Sequence, residues 1–222
     1  DIVWKSNNLA LHNMDDEILD KMKESGCYQV IVSIESGCQE TLKRMKKPID
    51  LKKAEETLKL IQKKGFDDVS SNFVIGMPGD TWDNIRENFE WVNRMVDNCL
   101  LDYAVFHIAI PLPKTELYEL CKREGYLPAN FSFENPEYYG FGKGVITTPE
   151  FEPNELQILR AYEWDRINFK TPEKRAKIAR MLGISLEELE IWRKDTRKNV
   201  GVHVSSVDKR FDAVDQKFHA ID

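Results

Sequence analysis

Two periods of apolar and polar positions alternate along this chain. In residues 28–34, Val30, Val32 and Ile34 interleave with Ile31, Ser33 and Glu35, the two-residue repeat of a strand. Residues 2–6 read as a shorter strand. Strand 69–75 puts Ser70, Asn72 and Val74 on one face, and strand 102–110 groups Tyr103, Val105, His107 and Ala109. Helical spacing fills the intervals. Residues 14–25 turn Ile18, Leu19 and Met22 inward and stop at Gly26, and a short helical stretch follows over 39–45. Asp50 caps a helix with the stripe Leu51, Ala54, Leu58 and Ile61, ended by Gly65. Asp80 or Thr81 caps the next, marked by Trp82, Ile85, Phe89, Val92 and Val96, and residues 115–124 form a last one before Gly125. This βα order predicts an α/β fold, a parallel sheet with helices packed outside it. Four units make about half of a partial TIM-like (β/α) barrel, which would leave two sheet edges and its interior uncovered.

Beyond residue 125 the pattern changes. Residues 126–150, rich in Pro, Gly, Tyr and Phe, read as an ordered loop. Helices follow over 153–169, 172–182 and 186–198, two of them announced by Thr171-Pro172 and the capping box Ser185 to Glu188. Val207, Phe211, Val214, Phe218 and Ile221 repeat at coiled-coil spacing. The expected organisation is therefore a barrel half over 1–125, the loop 126–150, a helical subdomain over 151–200 and a coiled-coil-like tail over 201–222, its seam either docked on the body or paired with another chain in an oligomer.

Charge narrows the function classes. The net charge of -6 repels phosphates, which argues against a general nucleic-acid or membrane-surface role. Residues 170–200 depart from this, with nine Lys/Arg against five Asp/Glu. No run resembles a signal peptide or membrane span, so a cytoplasmic location is expected. Cys27, Cys38, Cys99 and Cys121 show no Cys-x-x-Cys spacing and read as reduced thiols. The first residue is Asp, inside a strand pattern, as expected of a fragment of something longer.

Candidate chemistry gathers where strands end. Residues 72–81 read NFVIGMPGDT, an apolar strand entering a glycine turn and a helix start, the place where α/β proteins hold small ligands. An ordinary tight βα turn has the same pattern. Ser33 and Glu35 are polar at the end of a buried strand, which suits a barrel interior opening at its carboxyl end. His107 shares a face with Tyr103, either as a proton-transfer residue at the substrate end or as a hydrogen-bonded interior histidine. His12, His203 and His219 lack metal-ligand spacing.

Three ordered motifs, SIESGCQETLKRMKK (Ser33–Lys47), NFVIGMPGDT and IPLPKTELY (Ile110–Tyr118), resemble the C-terminal half of radical S-adenosylmethionine (SAM) enzymes. The likeness is closest to the branch often fused to a cobalamin-binding domain, and it covers residues 2–118. It implies a radical SAM type of half-barrel, strands three to six. Glu35 then matches the residue contacting the methionyl or ribose part of SAM, with Ser36 beside it in the motif. Lys47 matches the position binding the SAM carboxylate, and Asn72 the one bonding ribose hydroxyls. The backbone of Val74, Ile75 and Gly76 matches the adenine edge. A solvated surface pair is the plainer account of Glu35 and Lys47.

The resemblance also implies a [4Fe-4S] cluster whose Cys-x-x-x-Cys-x-x-Cys ligands, absent here, would lie upstream in another half of the same protein. Such an enzyme cleaves SAM to a 5′-deoxyadenosyl radical, or passes a methyl group through cobalamin bound outside this chain, on a small-molecule substrate. Ser33 and Lys114 stand where the family commonly has Gly. A second signal competes: Ile178 to Ser185 with Leu189 and Trp192 resembles a helix-turn-helix. It leaves a DNA-binding or scaffold module on a degenerate barrel as the alternative, and a helical hairpin packed on the barrel as the plainer one.

Overall fold

A computed structural model describes residues 2–138 and 143–198, together with Gln216. The tail seam expected over 201–222 lies outside these residues, Gln216 apart. The elements run β1 (Trp4–Lys5), β2 (Leu9–Ala10), α1 (Asp16–Glu24), β3 (Cys27–Glu35), α2 (Gln39–Arg44), α3 (Leu51–Lys63), β4 (Asp68–Ile75), α4 (Trp82–Asp97), β5 (Tyr103–Ile108), α5 (Glu116–Arg123), α6 (Pro153–Asn168), α7 (Pro172–Leu182) and α8 (Leu186–Lys198). All strand pairings are parallel, in the order β1-β3-β4-β5, with β2 also paired to β3.

The first strand is split. Ser6 interrupts it by taking over the ladder, its N–H donating to Gln29 O and its hydroxyl accepting from Ile31 N. Asn8 then turns through φ 51°, and β2 resumes pairing at Leu9 opposite Val32. α1 likewise starts later than its periodicity suggests, because Asp15 accepts from Ile18 N and fixes the cap there. At α4 the cap is Thr81, in a reciprocal box with Asn84.

Strand alternation produces two unlike faces. Val30, Val32, Ile34, Val69, Phe73, Ala104 and Phe106 are fully buried in one core with Leu58 and Ile61 of α3 and Phe89 and Val92 of α4. Phe106 anchors it, with ring centroids 4.8 Å from Phe89 and 5.6 Å from Phe73. On the opposite face Ile31, Ser33, Glu35, Asn72, Val74, Val105 and His107 are only half-buried. That open face carries the polar residues.

The helical region belongs to the same core: Leu156, Leu159, Trp164, Ile167, Ile178 and Leu189 join the cluster built on the sheet. α6 runs along β5 and supplies what a further strand would. Asn168 accepts from Ala104 N at 2.8 Å and donates to Ala104 O at 2.9 Å, and Arg160 donates to Phe106 O. Of the two edges expected to be unpaired, this one is sealed by side chains. Four cations of the α7–α8 hairpin turn to the body: Lys174 donates to Val96 O, Lys177 pairs with Asp102, and Arg193 and Arg197 both pair with Asp165. No described helix is long and apolar enough to cross a membrane.

Candidate cofactor-binding site

At the carboxyl end of the sheet, β3 and β4 part company. The register passes from Ser33 opposite Asn72 to Glu35 opposite Phe73, and Glu35 takes a left-handed φ of 74°. A non-glycine residue keeps that conformation only where its surroundings hold it. Two contacts do so. Lys47 Nζ lies 2.9 Å from Glu35 Oε1. Just beyond, the buried Asn88 of α4 accepts from Gly37 N at 2.7 Å and donates to Val74 O at 3.3 Å, splicing the diverging strands together.

The gap beside this split is a cleft of about 210 Å³, bordered by Asn8, Ala10, Ser33, Glu35, Lys47 and Ile49. Asn72 sits one strand over on the same face. Its amide nitrogen donates to Asn8 Oδ1, and its oxygen lies 3.4 Å from His107 Nε2. Burial pushes the His107 imidazole below the usual histidine range, and the Arg160 guanidinium pushes the same way against a weaker pull from Glu35. Both effects favour the neutral imidazole. On the β5 side, Val74, Met77, Tyr126, Phe131 and Tyr138 pack around buried Ala109 and Cys121.

Glu35, Asn72 and His107 thus lie on the half-buried face of the sheet, with Lys47 reaching Glu35 from the segment after α2. The other expected ligands are placed differently. The Ser36 hydroxyl is fully buried and accepts from Cys38 N, shaping its own loop. Val74 O is held by Asn88, and Ile75 O by Ala109 N. Gly76, at φ 79°, faces α6: a Cβ there would stand 2.4 Å from Leu156 Cδ1. The absent side chain makes room for Leu156. It does not face the cleft.

A polar brace behind the site escaped the reading of the sequence. Buried Asp80 accepts from Thr41 Oγ1 at 2.6 Å and Arg44 Nη2 at 2.7 Å on α2, and from Met77 N at 3.0 Å. Arg44 also donates to Asn84 Oδ1. The sequence offers Asp80 as a possible cap, but its carboxylate ties the glycine turn to α2. The only sequence signal was an Asp beside a Thr that could cap alone.

Comparison with known proteins gives a match over part of the chain. Residues 1–92 match the radical SAM superfamily. The radical SAM match spans β1 into α4, and so includes Glu35, Lys47, Asn72 and the brace. The chain is 33% identical over 147 residues to cytidylyl-2-hydroxyethylphosphonate methyltransferase of Streptomyces wedmorensis, covering 63% of this chain and 26% of that protein. It is 32% identical over 119 residues to an uncharacterized methyltransferase of Pyrococcus horikoshii, covering 54% and 25% respectively. Among solved structures it is similar to the radical SAM enzyme coproporphyrinogen III oxidase (HemN) of Escherichia coli, with a TM-score of 0.42 and 15% identity over 48% of this chain and 24% of that one. The chain spans about a quarter of the length of these relatives. Lys114, where the radical SAM motif commonly has Gly, holds φ 64°. It keeps the left-handed turn that glycine adopts without cost.

Proposed function

We propose that this chain is the part of a radical SAM enzyme that cradles S-adenosylmethionine, and that the whole protein transfers a methyl group to a small molecule. The Glu35–Lys47 pair, held beside Asn72 where the strands open, carries this reading. An amino acid's ammonium and carboxylate are complementary to a carboxylate and an ammonium. A zwitterion can therefore replace each partner of the pair with its own opposite charge and leave neither buried alone. Asn72 offers amide donor and acceptor to ribose hydroxyls at the price of its contact with Asn8. His107, beside it, is able in its neutral form to take a proton from a substrate.

SAM fits this donor set, and when bound it supplies a methyl group or a 5′-deoxyadenosyl radical. A [4Fe-4S] cluster does not fit the described residues. Cys27, Cys38 and Cys121 are separately buried, and no three His, Cys, Asp or Glu side chains among the described residues come together. The cluster ligands, and the cobalamin domain that the sequence resemblance brings into this reading, belong to parts of the protein outside this chain. The methyltransferase relatives support methyl transfer. The DNA-binding alternative loses support, because Lys174, Lys177, Arg193 and Arg197 face the body.

Calorimetric titration of SAM into the full-length protein tests the proposal. Lys47→Ala removes a charge-assisted contact worth about 1.5–3 kcal/mol, a roughly tenfold to hundredfold rise in Kd. Asn72→Ala removes a neutral hydrogen bond of about 0.5–1.5 kcal/mol and acts more weakly. Unchanged SAM affinity in a folded Lys47→Ala protein would overturn the assignment.

A further inference from the structure

The opposite end of β4 holds a second set of unmatched charges. Asp68 opens the strand and borders a cleft of about 320 Å³ with Tyr28, Asp67, Lys177, Arg180 and Met181, a volume at the lower end of small-molecule sites. Asp68 is only 7% exposed, and among the described residues no hydrogen bond or ion pair reaches its carboxylate. Burial holds its carboxyl above the usual carboxylate range, with Lys177 and, more weakly, Arg180 opposing and Asp102 and Asp67 adding to the rise.

The nearest cation does not satisfy it. Lys177 is engaged by Asp102 at 2.7 Å. Asp67 is exposed and lies 3.9 Å from Lys23. Arg180, at the rim, is exposed and has no ion pair among the described residues. The cleft therefore presents a buried carboxylate inside and a guanidinium at its mouth, each within the other's field but without a hydrogen bond or ion pair among the described residues. A carboxylate withdrawn from water without a partner is costly. Deeper along the same strand, the buried Ser70 hydroxyl also has no hydrogen-bond partner among the described residues.

We propose that this cleft binds a small aliphatic amino acid, its ammonium on Asp68 and its carboxylate on Arg180. A divalent cation is disfavoured by the two basic side chains lining the same space. A plain anion would meet Asp67 and Asp68. Only a ligand with both charges satisfies both ends. The site lies roughly 23 Å from the carboxyl end of β4, at about 3.3 Å per residue. It stands independently of the SAM reading.

The experiment is calorimetric titration of the full chain with glycine, β-alanine and γ-aminobutyrate, which differ in charge separation, and with methylammonium and acetate as single-charge controls. At least one amino acid should bind about tenfold or more tighter than either control. Asp68→Asn should abolish that binding, and Arg180→Gln, at an exposed position, should weaken it severalfold. Without ligand, the melting temperature of Asp68→Asn should equal or exceed that of the unsubstituted protein, because an unmatched buried charge is gone. No heat with any of the three amino acids, unchanged binding in both variants, or a marked loss of stability in Asp68→Asn would each overturn the proposal. The last result would assign Asp68 a structural partner.

Discussion

Replacing Gly76 by Ala separates two accounts of the glycine turn. The backbone there sits at φ 79°, where an L side chain costs about 1–2 kcal/mol. The added methyl would stand 2.4 Å from Leu156 Cδ1, and overpacking of a filled core costs about 1–3 kcal/mol. Gly76→Ala should therefore destabilise by about 2–5 kcal/mol. Leu156→Ala alone removes a buried side chain, 1% exposed, for about 2–5 kcal/mol. In the double variant the truncated Leu156 leaves room for the methyl, so the steric part disappears while the backbone strain remains. The two changes should then fall short of additivity by about 1–3 kcal/mol. Urea unfolding followed by tryptophan fluorescence reads all four proteins of the cycle. Additivity within about 0.5 kcal/mol would refute the Leu156 contact as the reason for the glycine. Loss of SAM binding in Gly76→Ala at unchanged stability would return the glycine to the ligand.

Two further outcomes follow from the site. Asn88→Ala leaves Gly37 N–H and Val74 C=O buried without partners, which should cost about 2–5 kcal/mol in the same assay; a loss under about 1 kcal/mol would mean water replaces the splice. His107 is held below the ordinary histidine pKa, so its neutral form is favoured by folding. That contribution is present above the unfolded pKa and is lost as pH falls through the folded value. Stability measured downward from about pH 6.5 should therefore fall more steeply for the unsubstituted protein than for His107→Gln, and parallel curves would refute it.

Local pattern reached the strand faces because a two-residue repeat needs no tertiary information. Ser33, Glu35, Asn72 and His107 were legible together for that reason. Their surroundings were not. Asn88 lies 51 residues from Gly37 and 14 from Val74, and its amide joins them only after β3 and β4 have diverged. Nothing in a helix-phase reading distinguishes that Asn from a solvated one. Gly76 and Ser36 carry constraints of the opposite kind. Both lie in a motif that suggests ligand contact, yet one is constrained by Leu156, 80 residues away in sequence, and the other by its own loop. Charge counting on the +4 segment likewise cannot see that Asp97, Asp102 and Asp165 receive four of its nine cations.

The sealing of β5 by Asn168 and Arg160 gives the sheet a direction. An uncovered strand edge is a template, open to pairing with any other chain that presents its own backbone. Here the outward carbonyls of Ala104 and Phe106 and the Ala104 amide already have side-chain partners, so growth on that side is blocked without a charge or a proline in the strand. The other flank is two short pieces, β1 and β2, with Ile2 and Val3 exposed beside them. A strand joining this sheet is thus steered to one flank. Asn168→Ala would unblock the other, and its signature would be concentration-dependent association rather than a lost ligand.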